Sequence, residues 1–236
     1  MIINTRPLEY QSDLLRDLGC GAGDIVTCPV LKSNALQWSE GVLDEADALI
    51  VTSQIAVGIL SRIANISDLP LYTVGPGTAK AARQAGFSKT IEGGGTAKRL
   101  LEVLDRESFL SALYVSARHV SCDLALERSN RITRHVVYDM VAAQTLPDTV
   151  VDVLRSDVPA TVPFYSPRSL QVFETLLKIH DLEDKASNAT AVMIHPRLSK
   201  VMALPWGQTR TATEPNGDGM IRAILRAIIP SARVAA

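Results

Sequence analysis

The feature that most constrains the fold is an echo within the chain itself. Leu49-Ile50-Val51-Thr52-Ser53 and Val162-Pro163-Phe164-Tyr165-Ser166 are both apolar runs that close on a serine and open a helical pattern. Downstream of the first lies Tyr72-Thr73-Val74-Gly75-Pro76-Gly77-Thr78-Ala79-Lys80. Downstream of the second lies Val192-Met193-Ile194-His195-Pro196-Arg197-Leu198-Ser199-Lys200, with its proline and lysine at matching places and its hydroxyl one position later. A third pair follows: Gly93-Gly94-Gly95-Thr96 with Leu100 and Leu104, and Glu214-Pro215-Asn216-Gly217 with Ile221 and Leu225. Successive units that recur in one order mark a duplicated architecture. Alternating strand and helix patterns imply parallel sheets covered by helices. The chain is therefore expected to be α/β, in two similar domains.

Local signals place the elements. Ala48 to Thr52, Leu71 to Val74, Ser88 to Glu92, Leu113 to Ser116, Thr161 to Tyr165, Ala191 to His195 and Thr209 to Thr213 read as strands, several of them continuous apolar runs of the kind buried in parallel sheets. Helical spacing follows at Leu8 to Leu18, Ile55 to Ile63, Thr78 to Ala85, Leu100 to Leu104, from Ser116 through Arg128, at Val150 to Leu154, at Pro167 to His180 and from Met220. Two extended stretches, near Ile25 and near Val136, fall outside this rhythm. Pro29 marks the first as an edge or linker strand. The expected organisation is a discontinuous domain of residues 1–24 plus 147–236, an inserted domain of 38–131, and linker strands at 25–37 and 132–146.

Composition removes several function classes. An apolar fraction of 47% with 5% aromatics describes a globular chain with an aliphatic core, and a formal charge of −1 without a basic run argues against nucleic acid as a partner. No apolar run approaches the roughly 18 residues of a membrane span, and the N-terminus lacks a signal-peptide layout. Cys20, Cys28 and Cys122 are odd in number and widely spaced, so a reducing, cytoplasmic setting is expected. His119, His135, His180 and His195 have no partner at metal-ligand spacing. Gly75-Pro76-Gly77 is not a dinucleotide fingerprint, and there is no phosphate loop. No seam for self-association stands out, and a monomer is expected.

Taken in order, Thr5-Arg6-Pro7, Ile50-Val51-Thr52-Ser53 with Val57, Val74-Gly75-Pro76-Gly77-Thr78-Ala79, Gly94-Gly95-Thr96-Ala97, Val137-Tyr138, Phe164-Tyr165-Ser166-Pro167 with Phe173, and Ile194-His195-Pro196 resemble the uroporphyrinogen-III synthase family over essentially the whole chain. The resemblance implies two flavodoxin-like parallel-sheet domains, a two-stranded antiparallel linker and an inter-domain cleft. It implies a lyase that converts hydroxymethylbilane to uroporphyrinogen III, inverting the fourth pyrrole ring and losing water, without cofactor or metal. Hydroxymethylbilane synthase is then the expected donor of the substrate. The chain departs from the family pattern at Arg118-His119, where a glycine usually follows the basic residue, and at His195 to Ser199. The same architecture also suits a non-catalytic tetrapyrrole-binding paralogue. A periplasmic-type solute-binding protein is disfavoured by small size and the missing leader.

The implied substrate is a polycarboxylate, and helix N-termini with hydroxyl caps supply anion contacts without net positive charge. Ser53, Gly75, Thr78, Thr96, Ser166, Ser169, Arg197 and Ser199 all fall at strand-to-helix turns, which line ligand crevices in open parallel sheets. Each also reads as an ordinary cap. Arg6, at the end of the first strand, suits a substrate carboxylate or a structural salt bridge; Lys80 and Lys200 read as solvated. Departure of the hydroxyl calls for an acid. Tyr138 matches the family tyrosine of the Val-Tyr run and is the candidate; packing of the linker is its other reading.

Overall fold

The computed structural model describes residues 1–10, 18–19, 22–63, 65–109, 111–120, 122–127, 131–156 and 158–228. Residues 11–17 of the expected first helix, and Arg128 at the end of the expected helix after Ser116, lie outside the described residues. The chain divides into two compact units, Met1–Lys32 with Val141–Ala236, and Ser33–Met140.

The first unit carries a five-stranded sheet built from β1 (Ile2–Asn4), β2 (Ile25–Thr27), β9 (Ala160–Phe164), β10 (Ala189–Met193) and β11 (Gln208–Thr211). Its order is β11-β10-β9-β1-β2, and every neighbouring pair is parallel. In chain order this is 2-1-3-4-5, the flavodoxin-like arrangement. Of the two readings that Pro29 allows, Ile25 to Thr27 takes the edge strand of this sheet, and the linker expected from residue 25 does not include these three residues. Main-chain pairing with β1 takes it in.

The second unit contains β4 (Ala48–Val51), β5 (Leu71–Thr73), β6 (Thr90–Glu92), β7 (Ala112–Ala117) and β8 (Ile132–Ala142), with β3 (Leu31–Ala35) beside β8. Its parallel strands run β6-β5-β4-β7-β8, a 3-2-1-4-5 order. The expectation of two flavodoxin-like sheets needs correction here. The two layouts are the same in space, but the chain is opened at different points. In both, three strands that are consecutive in sequence step from the centre to one edge (β4, β5, β6 and β9, β10, β11). The other half is supplied by strands that follow in the second unit and precede in the first. An insert has to enter and leave side by side, and β3 and β8 do so. Ala143 N donates to Val30 O and Leu36 N to Val137 O, each at 2.9 Å, pairs that step in opposite directions along the chain.

The helices are α1 (Gln54–Leu60), α2 (Pro76–Gln84), α3 (Ala97–Leu104), α4 (Leu124–Glu127), α5 (Asp148–Arg155), α6 (Pro167–Ile179) and α7 (Gly217–Ile228). The echo extends to their caps. Ser53 Oγ accepts from Ala56 N and Ser166 Oγ from Ser169 N; Thr96 Oγ1 accepts from Arg99 N and Asn216 Oδ1 from Gly219 N. Strands β4, β7 and β9 are buried along their whole length. This is why they read as unbroken apolar runs rather than alternating ones.

Pro163 sits in the middle of β9, a central strand, where a missing N–H should break the ladder. The gap falls on the β1 side. There β1 and β9 share only the pairing Ile2↔Thr161, and the Thr5 hydroxyl donates to the Pro163 carbonyl in place of a main-chain partner. On the β2 side the pairing of the first strand runs on, with Cys28 N donating to Asn4 O and Val30 N to Thr5 O.

Two buried groups make stability sensitive to alkali. The Cys28 thiol, ordinarily ionising near 9.0, is pushed up to about 12 by burial. The Tyr72 phenol, ordinarily near 10.0, also rises to about 12, first through burial and then through the Glu107 carboxylate, with Arg131 opposing. The unfolded chain loses these protons at lower pH than the folded one. Their contribution is complete below pH 9 and is lost as pH rises toward about 12. Urea midpoints are expected to hold steady up to about pH 9 and fall beyond it, and Tyr72→Phe should flatten the part of the fall above pH 10.

Candidate functional site

In open parallel sheets the ligand crevice forms outside the strand C-termini, where the strand order reverses. In the second unit that point lies between β4 and β7. A cleft of about 390 Å³ opens there, lined by Thr52 and Ser53 after β4, Val74 after β5, Gly95, Thr96 and Ala97 at the head of α3, Tyr114 and Ala117 of β7, His119, Val120, Cys122 and Leu124 beyond it, and Tyr138 of β8.

Tyr138 reaches this cleft through a fault in the ladder. Up to Ser116 the β7–β8 register is regular, with Ser116 opposite Val136; the next pair is Ala117 with Tyr138, so Val137 is skipped. Side chains alternate faces along a strand, so the extra residue brings Tyr138 onto the cleft side at the level of Ala117. Its ring is buried, and its hydroxyl lies 2.8 Å from Ser53 Oγ. Beneath it the Tyr114 hydroxyl stands 3.4 Å from Thr52 Oγ1. Burial is the main influence on the Tyr114 phenol and raises its pKa, with Asp123 and Cys122 adding and Thr52 and Arg134 opposing, so the phenol stays protonated.

The wall formed by residues 117–120, 122 and 123 is tied to β8. Arg134 donates to Ser116 Oγ, to the carbonyls of Ala117 and Arg118, and to Asp123 Oδ2 at 2.6 Å, using its guanidinium as a fork. Arg118 pairs with Asp139 at 3.2 Å, and its backbone N–H donates to the Tyr138 carbonyl. On the opposite side the three glycines before Thr96 have separate reasons. A Cβ on Gly93 would lie 2.6 Å from Leu100 Cδ1, whereas Gly94 and Gly95 hold φ of 75° and 90°.

The first unit has its own crevice at the corresponding reversal, between β1 and β9. It encloses about 220 Å³ and is lined by Thr5, Arg6, Pro7, Tyr10, Leu31, Tyr165, Ser166 and Ser169. The Arg6 guanidinium lies between two rings, 4.7 Å from the centroid of Tyr10 and 4.6 Å from that of Tyr165. Ser166 and Ser169 form a reciprocal capping box at the start of α6.

The residues singled out in the sequence thus separate into groups. Tyr138, Ser53 and Thr96 share the cleft of the second unit. Gly75 caps α2 and Thr78 is buried in its first turn, beside that cleft but not on its lining. Arg6, Ser166 and Ser169 share the crevice of the first unit. Arg197 and Ser199 are exposed on a 3-10 turn, Pro196–Val201, and line neither; His195 caps that turn by accepting from Arg197 N. Thr52, Tyr114, Ala117, His119, Val120 and Cys122 were not foreseen. A tyrosine within the aliphatic run Leu113-Tyr114-Val115 was the available signal, because a phenol inside a buried strand needs a polar partner.

The sequence profile described as uroporphyrinogen-III synthase HemD matches residues 12–222. No curated protein matches the chain in sequence. Among solved structures, the chain is similar to uroporphyrinogen-III synthetase from Helicobacter pylori, with 17% identity, 95% of this chain and 98% of that one covered, and a TM-score of 0.65. It is also similar to a mutant uroporphyrinogen III synthase from the extremely thermophilic bacterium Thermus thermophilus, with 14% identity, 96% and 97% covered, and a TM-score of 0.50. At these identities the structures speak to the fold.

Proposed function

Since the chain belongs to the uroporphyrinogen-III synthase family, within tetrapyrrole biosynthesis, we propose that it closes hydroxymethylbilane to uroporphyrinogen III, inverting the fourth pyrrole ring and losing water. The observation that carries this reading is the Tyr138 phenol, hydrogen-bonded to Ser53 in a cleft at the strand-order reversal. In the proposed reaction Tyr138 gives its proton to the hydroxymethyl oxygen. The C–O bond then breaks with its electron pair on oxygen, water leaves, and a resonance-stabilised azafulvene cation remains. A pyrrole carbon attacks this cation, the fourth ring is inverted through rearrangement, and the proton released as the ring regains aromaticity returns to the phenolate. General acid assistance of this kind contributes about 10²–10⁴-fold. Holding the flexible substrate with its last ring folded back supplies a further share.

In the cleft of the second unit the carboxylate contact in this reading comes from Thr96 at the head of α3; in the crevice of the first unit, Arg6 offers one, its ring neighbours keeping a planar donor in place. Gly75, Thr78, Ser166 and Ser169 are further substrate contacts in this reading, at the starts of α2 and α6. Arg197 and Ser199 take part only from an exposed turn. The two-stranded connection by β3 and β8 is part of the proposal, supported by the opposed hydrogen bonds of Val30 with Ala143 and Leu36 with Val137. No cofactor is required by these steps, and a monomer acting in the cytoplasm on substrate received from hydroxymethylbilane synthase completes the reading. Among the described residues, no helix is long and apolar enough to cross a membrane.

The test is a coupled assay with hydroxymethylbilane synthase. The type III isomer is the expected product. Type I alone would mean a chain that does not carry out the conversion.

A further inference from the structure

Two hydroxyls of capping residues face the same cleft, Ser53 and Thr96, and they differ in what they already hold. A serine or threonine hydroxyl has one proton to donate and two lone pairs. Thr96 Oγ1 accepts from Arg99 N at 3.2 Å, and its proton has no partner among the described residues. Ser53 Oγ accepts from Ala56 N at 3.2 Å and stands 2.8 Å from the Tyr138 oxygen. Thr96 therefore has a donor for an incoming carboxylate, whereas the Ser53 hydroxyl is already engaged twice, by Ala56 N and by the Tyr138 hydroxyl.

The approach between Ser53 and Tyr138 crosses a strand. Ser53 follows β4, Tyr138 belongs to β8, and β7 runs between them. Neighbouring strands stand about 4.8 Å apart, so the ring passes over the end of β7 to meet Ser53. It can do so because the residue at its level is Ala117, and because the skipped register at Val137 turns it to this face. Small side chain, ladder fault and fixed hydroxyl converge on one phenolic oxygen.

We infer that Ser53 is the positioning residue of the proposed acid: its O–H donates to the Tyr138 oxygen, fixes the place of that oxygen at the cleft and holds the phenolate once its proton has left. This rests on the function proposed above and refines it, moving Ser53 from a substrate contact to a partner of Tyr138. The proton passes from Tyr138 to the departing hydroxyl and is later restored from the rearomatising pyrrole, while the Ser53 proton stays on Ser53 throughout.

The test uses the full chain with hydroxymethylbilane generated in the coupled assay, and the variants Ser53→Gly, Ser53→Thr, Tyr138→Phe and the Gly/Phe double. Glycine removes the hydroxyl yet remains an acceptable helix cap, so folding is little affected; a thermal melt checks this. Ser53→Gly is expected to lower kcat about tenfold with KM nearly unchanged. Ser53→Thr should restore most of the rate, and Ser53→Gly should have no further effect once Tyr138 is Phe. A rise in KM at normal kcat would return Ser53 to the role of substrate contact and overturn the inference. So would an equal loss with and without the Tyr138 hydroxyl. If Tyr138→Phe is slow while Ser53→Gly is normal, only this inference fails; if Tyr138→Phe turns over at the native rate, the acid role itself fails.

Discussion

A Tyr138→Phe enzyme is expected to turn over about 10²-fold more slowly than the native chain, with KM little changed and the type III isomer still the product. The substitution keeps the ring, which is buried against the end of β7, and removes only the oxygen that Ser53 holds at 2.8 Å. Packing and the cleft shape are preserved, so the loss reports the proton. Activity is not abolished, because the azafulvene cation is resonance-stabilised and the folded-back substrate geometry is maintained by other contacts. Single-turnover measurement of product formation separates this loss from slow release. A variant that keeps its full rate would leave Tyr138 as a packing residue.

The largest effect on stability is expected from Glu174→Ala, in the first unit. Glu174 lies on α6 with 2% of its surface exposed. Its carboxylate accepts from Ala203 N at 2.9 Å, Leu204 N at 3.2 Å and the Trp206 indole N–H at 2.9 Å. Trp206 in turn stacks on Phe173 and meets Phe164 edge-on, at centroid distances of 6.1 and 5.5 Å. One side chain therefore ties the segment between the Pro196 turn and β11 to the core of the first unit. Alanine would leave three donors without an acceptor and open a void beside the indole, a loss of about 3–5 kcal/mol. Glu174→Gln, which keeps one acceptor oxygen, should fall between the two. Urea denaturation followed by tryptophan fluorescence measures both. A loss below about 1 kcal/mol would show that aromatic packing alone holds the segment.

Much of this fold was legible in the sequence because its signals are local. Leu49-Ile50-Val51 and Ala191-Val192-Met193 announce buried strands, and Ser53, Thr96 and Ser166 announce helix starts; all of them behave accordingly. The sheet order of the second unit was not legible, since nothing near Ala112 says that β7 returns to the far side of β4. That choice is made by a distant pairing. The skipped residue at Val137 is likewise silent, as no glycine or proline marks it, yet it decides which way Tyr138 faces. Arg197 and Ser199 illustrate the opposite failure. Their pattern matched Thr78 and its neighbours, but the turn they occupy is a short 3-10 segment on the surface rather than a helix over a crevice. For Glu174 the sequence offered only a polar residue on an amphipathic helix, and its partners lie about thirty positions away.

The different points at which the two sheets are opened bear on the order in which the protein can form as it leaves the ribosome. All five parallel strands of the inserted unit lie within one uninterrupted stretch ending at Ala142, so that unit has its full set of partners early. Strand β1 is the reverse case: it is made before the insert, yet it lies between β2 and β9, and Ile2 meets Thr161 only after the whole insert has been synthesised. The segment carrying β1 must therefore keep the apolar pair Ile2 and Ile3 out of wrong pairings while it waits. A nascent chain halted after Ala142 should contain a folded insert beside a first sheet that still lacks β9.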